Sequence, residues 1–273
     1  MEKTNTVSVL GCGWLGLPLA EKLLKSNFKV KGSVTKSEKL TELRNRGIDA
    51  YKVQFNPFFE GDLSFFDAEI LIINIPPKAR SLGEEFHLSQ IQHIIDTIKL
   101  KNGIKKMLFV SSTSVYDNIG EELSENQANA THFLMKAEFE LKDFCNKSGI
   151  LFTVLRLGGL MGYDRIPCKY FDSTKGMVND NPKVNYVHRE DVIGAILQVL
   201  ENNLWDDVFN VVAPLHPTRK EVLENTCFKY GFSMPLFSEK FEQKLFKTVS
   251  PKYFIENSGY EFIFPDPRFF QYQ

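Results

Sequence analysis

The residues best placed to do chemistry stand near the start of the chain, where Val7-Ser8-Val9-Leu10 runs into Gly11-Cys12-Gly13-Trp14-Leu15-Gly16. Leu15, Leu19, Leu23 and Leu24 then recur at helical spacing. A β-branched run followed at once by glycines and a leucine period reads as a strand, a tight turn and a helix. In such a turn Gly11 makes the bend, Gly13 lets a pyrophosphate approach bare backbone, and Gly16 lets the helix pack close to the strand. Amide N–H groups and the positive helix end then face the anion, a dipole contribution of about 0.3–1 kcal/mol at an exposed site. The pattern predicts a dinucleotide site built on Gly11, Gly13, Trp14, Leu15 and Gly16.

The end of the next strand bears on which dinucleotide. NAD binders usually place an acid there, about 20 residues after the glycines, to hold the ribose hydroxyls. This chain has Ser33-Val34-Thr35-Lys36-Ser37 instead. Hydroxyls and a cation suit a 2′-phosphate, so Ser33, Thr35 and Lys36 are read as cofactor contacts and NADP is favoured over NAD.

Alternating elements must position these residues. After the first strand and helix, Phe28 to Val34 reads as a strand, Ser37 to Arg46 as a helix and Ala50 to Phe55 as a strand. Glu69 to Ile75 is a buried-looking strand ended by Pro76-Pro77, which places Pro76 among the cofactor residues. A helix from about Glu84 to Leu100 carries Ile91, Ile94, Ile95 and Ile98, and Lys106 to Ser111 is a strand. A helix over about Thr131 to Asn146 follows, then a strand over Leu151 to Leu157. Right-handed crossovers turn this order into an α/β fold with a doubly wound parallel sheet.

Past Leu157 the regularity breaks. Gly158 to Pro182 lacks a sustained period, Val184 to Val187 is a short strand, Arg189 to Leu200 a helix and Val208 to Val212 a last strand. The expected division is 1–157 plus 182–212 as a dinucleotide-binding domain, and 158–181 plus 213–273 as a small C-terminal substrate lobe over the carboxyl ends of the strands, where open α/β sheets place ligands. Arg165 or Arg189 is a candidate phosphate contact of the substrate pocket.

Composition excludes several classes. The 273 residues are 43% hydrophobic with a formal net charge of -1, which lacks the cationic excess that nucleic-acid binding needs. No apolar run reaches the roughly 18 residues of a membrane span. The N-terminus carries no signal-peptide core, and Cys12, Cys145, Cys168 and Cys227 show neither metal-ligand spacing nor disulfide density. The expectation is a cytoplasmic monomer or homodimer with reduced thiols, no metal, and a small molecule as partner.

Several segments together resemble one family. Leu108-Phe109-Val110-Ser111-Ser112-Thr113-Ser114-Val115-Tyr116 resembles the SS-x-x-VY segment of the extended short-chain dehydrogenase/reductases, the nucleotide-sugar epimerase and dehydratase group. Tyr186-Val187-His188-Arg189-Glu190-Asp191-Val192 resembles their VH-x-x-DV corner, and Phe209-Asn210-Val211-Val212 their last strand. The matches come in the family's order and cover roughly residues 5 to 265. Trp14-Leu15-Gly16, Ala213-Pro214-Leu215-His216-Pro217 and Phe264-Pro265-Asp266-Pro267 more narrowly resemble an atypical epimerase-like branch. The resemblance implies a Rossmann-type NAD(P) domain and chemistry on a sugar-like or nucleotide-linked hydroxyl compound.

It also implies site residues. The family places a Tyr four residues before a Lys on one helix, with a Ser or Thr at the preceding strand end. Ser112 takes the Ser place and Lys136 the Lys place, while His132 stands where the Tyr belongs. Asn56 matches the family's adenine-contacting Asp. Histidine has a reference pKa of about 6.5 against about 10 for Tyr, and a neighbouring Lys charge lowers it further. A neutral imidazole is a better base than acid, so alcohol oxidation is expected over ketone reduction. The missing Tyr also permits an alternative reading, a non-catalytic sensor or scaffold that retains the dinucleotide. Tyr116 reads as a packed loop aromatic, and Asp191 as a helix cap.

Overall fold

The computed structural model describes residues 5–171, 177–242 and 244–273. Its strands are β1 (Thr6–Leu10), β2 (Lys29–Val34), β3 (Asp49–Phe55), β4 (Phe59–Gly61), β5 (Ile70–Ile73), β6 (Lys106–Ser112), β7 (Glu122–Leu123), β8 (Leu151–Leu157), β9 (Gly159–Met161), β10 (Tyr186–His188), β11 (Val208–Val211) and β12 (Thr248–Val249). The helices are α1 (Gly16–Lys25), α2 (Leu40–Asn45), α3 (Ala79–Leu82), α4 (Glu84–Lys99), α5 (Phe133–Ser148), α6 (Arg189–Glu201), α7 (Arg219–Thr226) and α8 (Lys252–Ser258).

Eight strands form one sheet in the order β11-β8-β6-β5-β1-β2-β3-β4. The β1/β2, β2/β3, β1/β5 and β5/β6 pairs are parallel, with Val9 opposite both Gly32 and Ile72. The order runs outward from β1 through β2 and β3 on one side, and through β5 and β6 on the other. That reversal makes a topological switch point at the carboxyl ends of β1 and β5, where doubly wound sheets bind ligands. The expected α/β doubly wound fold is therefore present. One strand departs from the reading: β4 returns antiparallel along β3, with Phe55 opposite Phe59.

Two compact units divide the chain: Met1–Ser111 with Asn129–Leu155 and Asn203–Val208, and Ser112–Ala128 with Arg156–Asn202 and Phe209–Gln273. The first unit's core follows from local periodicity. Ile91, Ile94, Ile95 and Ile98 form one stripe of α4 and are buried with Leu71, Ile73, Met107 and Phe109 of the strands and Ala137, Leu141 and Cys145 of α5. Burying one such aliphatic side chain contributes about 1.5–3 kcal/mol, which is why the stripe rather than intrinsic propensity settles α4.

In the second unit Ile166, Cys168, Ala213, Leu223, Cys227, Phe270 and Tyr272 form a separate buried cluster. Cys168 and Cys227 are joined there as a disulfide with their Cα atoms 5.5 Å apart, within the usual range. This corrects the reading of four reduced thiols; Cys12 and Cys145 alone are free. The irregular stretch expected over Gly158 to Pro182 holds β9 and a 3-10 turn, Pro167–Tyr170; residues 172–176 of it lie outside the described residues. Among the described residues no helix is long and apolar enough to cross a membrane.

Candidate functional site

The glycine turn joins β1 to α1, and each glycine has a different reason to be glycine. Gly11 has φ 106°, a left-handed conformation, and a Cβ there would lie 2.5 Å from the Asn74 carbonyl oxygen. A Cβ on Gly16 would overlap the Gly11 carbonyl oxygen, so the helix packs onto the turn only without a side chain. A Cβ on Gly13 would meet nothing within 4 Å. Gly13 is thus the exposed, open position, and the space a side chain would fill is the space a pyrophosphate needs. No described side chain caps α1, and its first turn carries no acidic residue. The amides of a first helical turn precede the repeating bonds and suit an anion. These residues fit a dinucleotide phosphate.

Strands on both sides hold the turn. The Gly11 N–H donates to Ser33 Oγ at 2.8 Å from β2, and Asn74 Nδ2, just past β5, donates to the Gly11 carbonyl at 3.1 Å. The Cys12 thiol is tucked beneath, buried, and pushed up to about 12 by burial, so it is an inert thiol rather than a nucleophile.

The cofactor-choice residues part company. Ser33 is 1% exposed with its hydroxyl turned to Gly11, whereas Thr35 and Lys36 are exposed, Lys36 lying 3.7 Å from Glu38. Trp14 and Leu15 lead into α1, while Asn56 and Pro76 lie exposed after β3 and β5.

The helix expected from Thr131 begins at Phe133, because His132 has extended backbone (φ -64°, ψ 136°) and acts as its N-cap. Its Nδ1 accepts the Leu134 N–H at 3.2 Å, and its ring stacks on Phe133. A neutral imidazole accepting at Nδ1 carries its proton on Nε2. While that cap bond is made, the other ring nitrogen is a donor. Lys136 is exposed one turn on, and its N–H donates to the His132 carbonyl at 3.1 Å. On the inner face of α5, buried Glu138 accepts the Ser111 hydroxyl at 2.6 Å and ties the end of β6 to the helix. Neither Asn74 nor Glu138 stands out by spacing. The one available signal was polarity at the end of an apolar strand or on a buried helix face.

Ser112 belongs to the second unit, where its Oγ accepts the Ser114 N–H at 3.1 Å. Tyr116 is buried, as read; its hydroxyl donates to Asn210 Oδ1 at 2.7 Å and accepts from Arg156 at 2.9 Å. Burial pushes its phenol above the ordinary value, with Arg156 pulling the other way. Arg189 lies over the Tyr163 ring at 3.5 Å, and Arg165 is half-buried. The cap of α6 is His188, whose Nδ1 accepts the Glu190 N–H, rather than Asp191. Asp191 instead accepts the Ile263 and Phe264 N–H groups and the Tyr260 hydroxyl, clamping the C-terminal segment.

Comparison with known proteins places this geometry. Residues 11–203 match the family model described as NAD(P)H-binding. The YeeZ protein of Escherichia coli K12 is 32% identical over 267 residues, covering 96% of this chain and 97% of its own. In structure the chain is similar to the UDP-glucose 4-epimerase of Thermus thermophilus solved with NAD, at TM-score 0.73, 17% identity and 96% of each chain. It is also similar to the yeast methylglyoxal/isovaleraldehyde reductase solved with NADPH, at TM-score 0.70, 16% identity and 95% and 94% of the two chains. With the family model covering most of the sequence, and with the YeeZ protein matched over 96% of this chain, this chain belongs to the NAD(P)H-binding family.

Proposed function

We propose that this NAD(P)-binding protein prefers NADP and acts as an oxidoreductase or epimerase on a small hydroxyl compound, sugar-like or nucleotide-linked. The observation that carries the dinucleotide part is the contrast within the glycine turn, where Gly11 and Gly16 are closed in while Gly13 opens onto an uncapped helix start. Lys36 supports the NADP preference, since an exposed cation suits a 2′-phosphate. When bound, the nicotinamide supplies the hydride donor or acceptor. Of this chain's residues, Gly13 with Trp14 and Leu15 would take the pyrophosphate, Thr35 and Lys36 the adenosine ribose phosphate, and Asn56 the adenine. Pro76 would border the cofactor at the end of β5.

Ser112, His132 and Lys136 remain the proposed proton-handling residues on the strength of the motif resemblance, with His132 a hydrogen-bond donor through Nε2. The substrate class is supported by the fold shared with the Thermus epimerase. Residues 158–181 with 213–273 are the proposed substrate lobe, Arg165 and Arg189 proposed phosphate contacts, and a cytoplasmic monomer or homodimer the proposed working form.

One observation favours a second reading, a sensor or scaffold that holds the dinucleotide without turnover. With Nδ1 given to the Leu134 N–H, the residue in the Tyr place has no spare lone pair to take a proton while the cap is intact. The test is calorimetric titration with NADPH and NADH, then absorbance at the nicotinamide band across a library of hydroxyl and carbonyl metabolites. Turnover with any compound supports the enzyme; tight binding with none supports the sensor; no binding of either dinucleotide overturns both.

A further inference from the structure

The Gly11 peptide groups have no hydrogen-bonding capacity to spare. The N–H is given to Ser33 Oγ at 2.8 Å. The carbonyl oxygen accepts twice, from the Gly13 N–H at 2.9 Å and from Asn74 Nδ2 at 3.1 Å. Asn74 is itself held, because its backbone N–H donates to the Leu10 carbonyl at 3.0 Å and continues the β1/β5 ladder. Ser33 is held likewise, with its carbonyl accepting the Cys12 N–H at 2.8 Å. Side chains from the two strands flanking β1 therefore grip one glycine from opposite sides, at the switch point of the sheet.

The geometry points to Ser33 and Asn74 as positioning residues that preset the phosphate cradle. The inference rests on the dinucleotide reading of the glycine turn and assigns Ser33 a different job from a 2′-phosphate contact. The reason is conformational. A glycine at φ 106° is free to rotate its peptide, and a carbonyl swung toward the cradle sets a negative dipole against an anion. With both lone pairs of that oxygen occupied by the Gly13 N–H and Asn74, the peptide has one orientation before the ligand arrives. Binding then carries no cost of ordering the loop, the usual gain from preorganisation. Because neither side chain addresses the adenosine ribose, loss of either weakens NADPH and NADH alike.

The experiment measures dissociation constants of both dinucleotides by calorimetry for the intact protein and for Ser33→Ala, Asn74→Leu and the double variant, well below each variant's melting temperature. Each single variant is expected to bind both dinucleotides about tenfold more weakly, the effect of one lost bond to a buried partner. The double variant is expected to lose less than the product of the two, because both residues act on one peptide. Unchanged dissociation constants beside a lowered melting temperature overturn the proposal, leaving Ser33 and Asn74 as stabilising residues only. A Ser33→Ala loss confined to NADPH also overturns it, by making Ser33 a direct phosphate contact. If Asn74→Leu does not fold, the milder Ser33→Ala decides the matter alone. Failure of the unmodified protein to bind either dinucleotide overturns the dinucleotide reading itself and this proposal with it.

Discussion

His132 Nδ1 accepts the Leu134 N–H at 3.2 Å, so this histidine, proposed to stand in the place of the family's tyrosine, is the N-cap of α5. The cap and the base are competing uses of one lone pair. Asparagine preserves a capping oxygen, and tyrosine provides none that reaches back to the helix start. His132→Asn is expected to leave the melting temperature nearly unchanged, while His132→Tyr loses about 0.5–2 kcal/mol of stability. Thermal unfolding of the two variants checks this, and equal melting temperatures argue against the cap. If the rest of the family-type site is intact, His132→Tyr also creates or raises redox turnover.

Gly13 and Gly16 are predicted to fail differently. Gly13→Val has room for its side chain, so the variant should fold and bind dinucleotide at least about tenfold more weakly. Gly16→Ala places Cβ on the Gly11 carbonyl and should lower the melting temperature before binding is considered. Circular dichroism with calorimetry separates the two; a Gly13→Val protein that binds normally removes the pyrophosphate assignment.

Lys36 is exposed and lies 3.7 Å from Glu38, itself exposed, so its removal should cost little stability. If it meets a 2′-phosphate, Lys36→Ala weakens NADPH by about tenfold or more and leaves NADH unchanged, since a charged hydrogen bond contributes about 1.5–3 kcal/mol. Equal affinities for the two dinucleotides in the unmodified protein would dismiss the preference.

His87 supplies a pH prediction. It is buried on α4 between Phe109 and Phe133. Gln90 donates its amide to the Phe55 carbonyl at 2.7 Å, which turns its oxygen to His87 Nδ1 at 3.3 Å and fixes the proton there. Nε2 has no partner among the described residues. Burial lowers the pKa of His87 from its ordinary 6.5, with Gln90 opposing, and burial lowers those of His188 and His216 as well. Between the folded and unfolded pKa values the unfolded chain binds more protons. The stabilisation is thus complete above about pH 6.5 and declines as pH falls through the depressed folded values. Melting temperature should fall between about pH 7 and 5, and less steeply in His87→Phe; parallel profiles would show that His87 does not contribute.

The glycine turn, the α4 stripe and the alternation of strand and helix were legible in the residues alone, because each depends on neighbours within one or two turns of chain. The helix starts were less so. His132 was read as lying inside a helix, since a histidine at an N-cap gives no signal of the kind serine or aspartate would. Other contacts within each unit are long-range. Asn74 reaches Gly11 across 63 residues, Cys168 meets Cys227 across 59, and Asp191 takes the Ile263 N–H across 72. No spacing rule encodes such pairs. Sequence by itself determined a Rossmann-type sheet with a glycine turn between its first strand and first helix, because hydrophobic period and glycine sterics are local. Tertiary structure decided that Ser33 serves the turn and that His132 spends its lone pair on the backbone, because hydrogen-bond partners are assigned only when strands and helices come together.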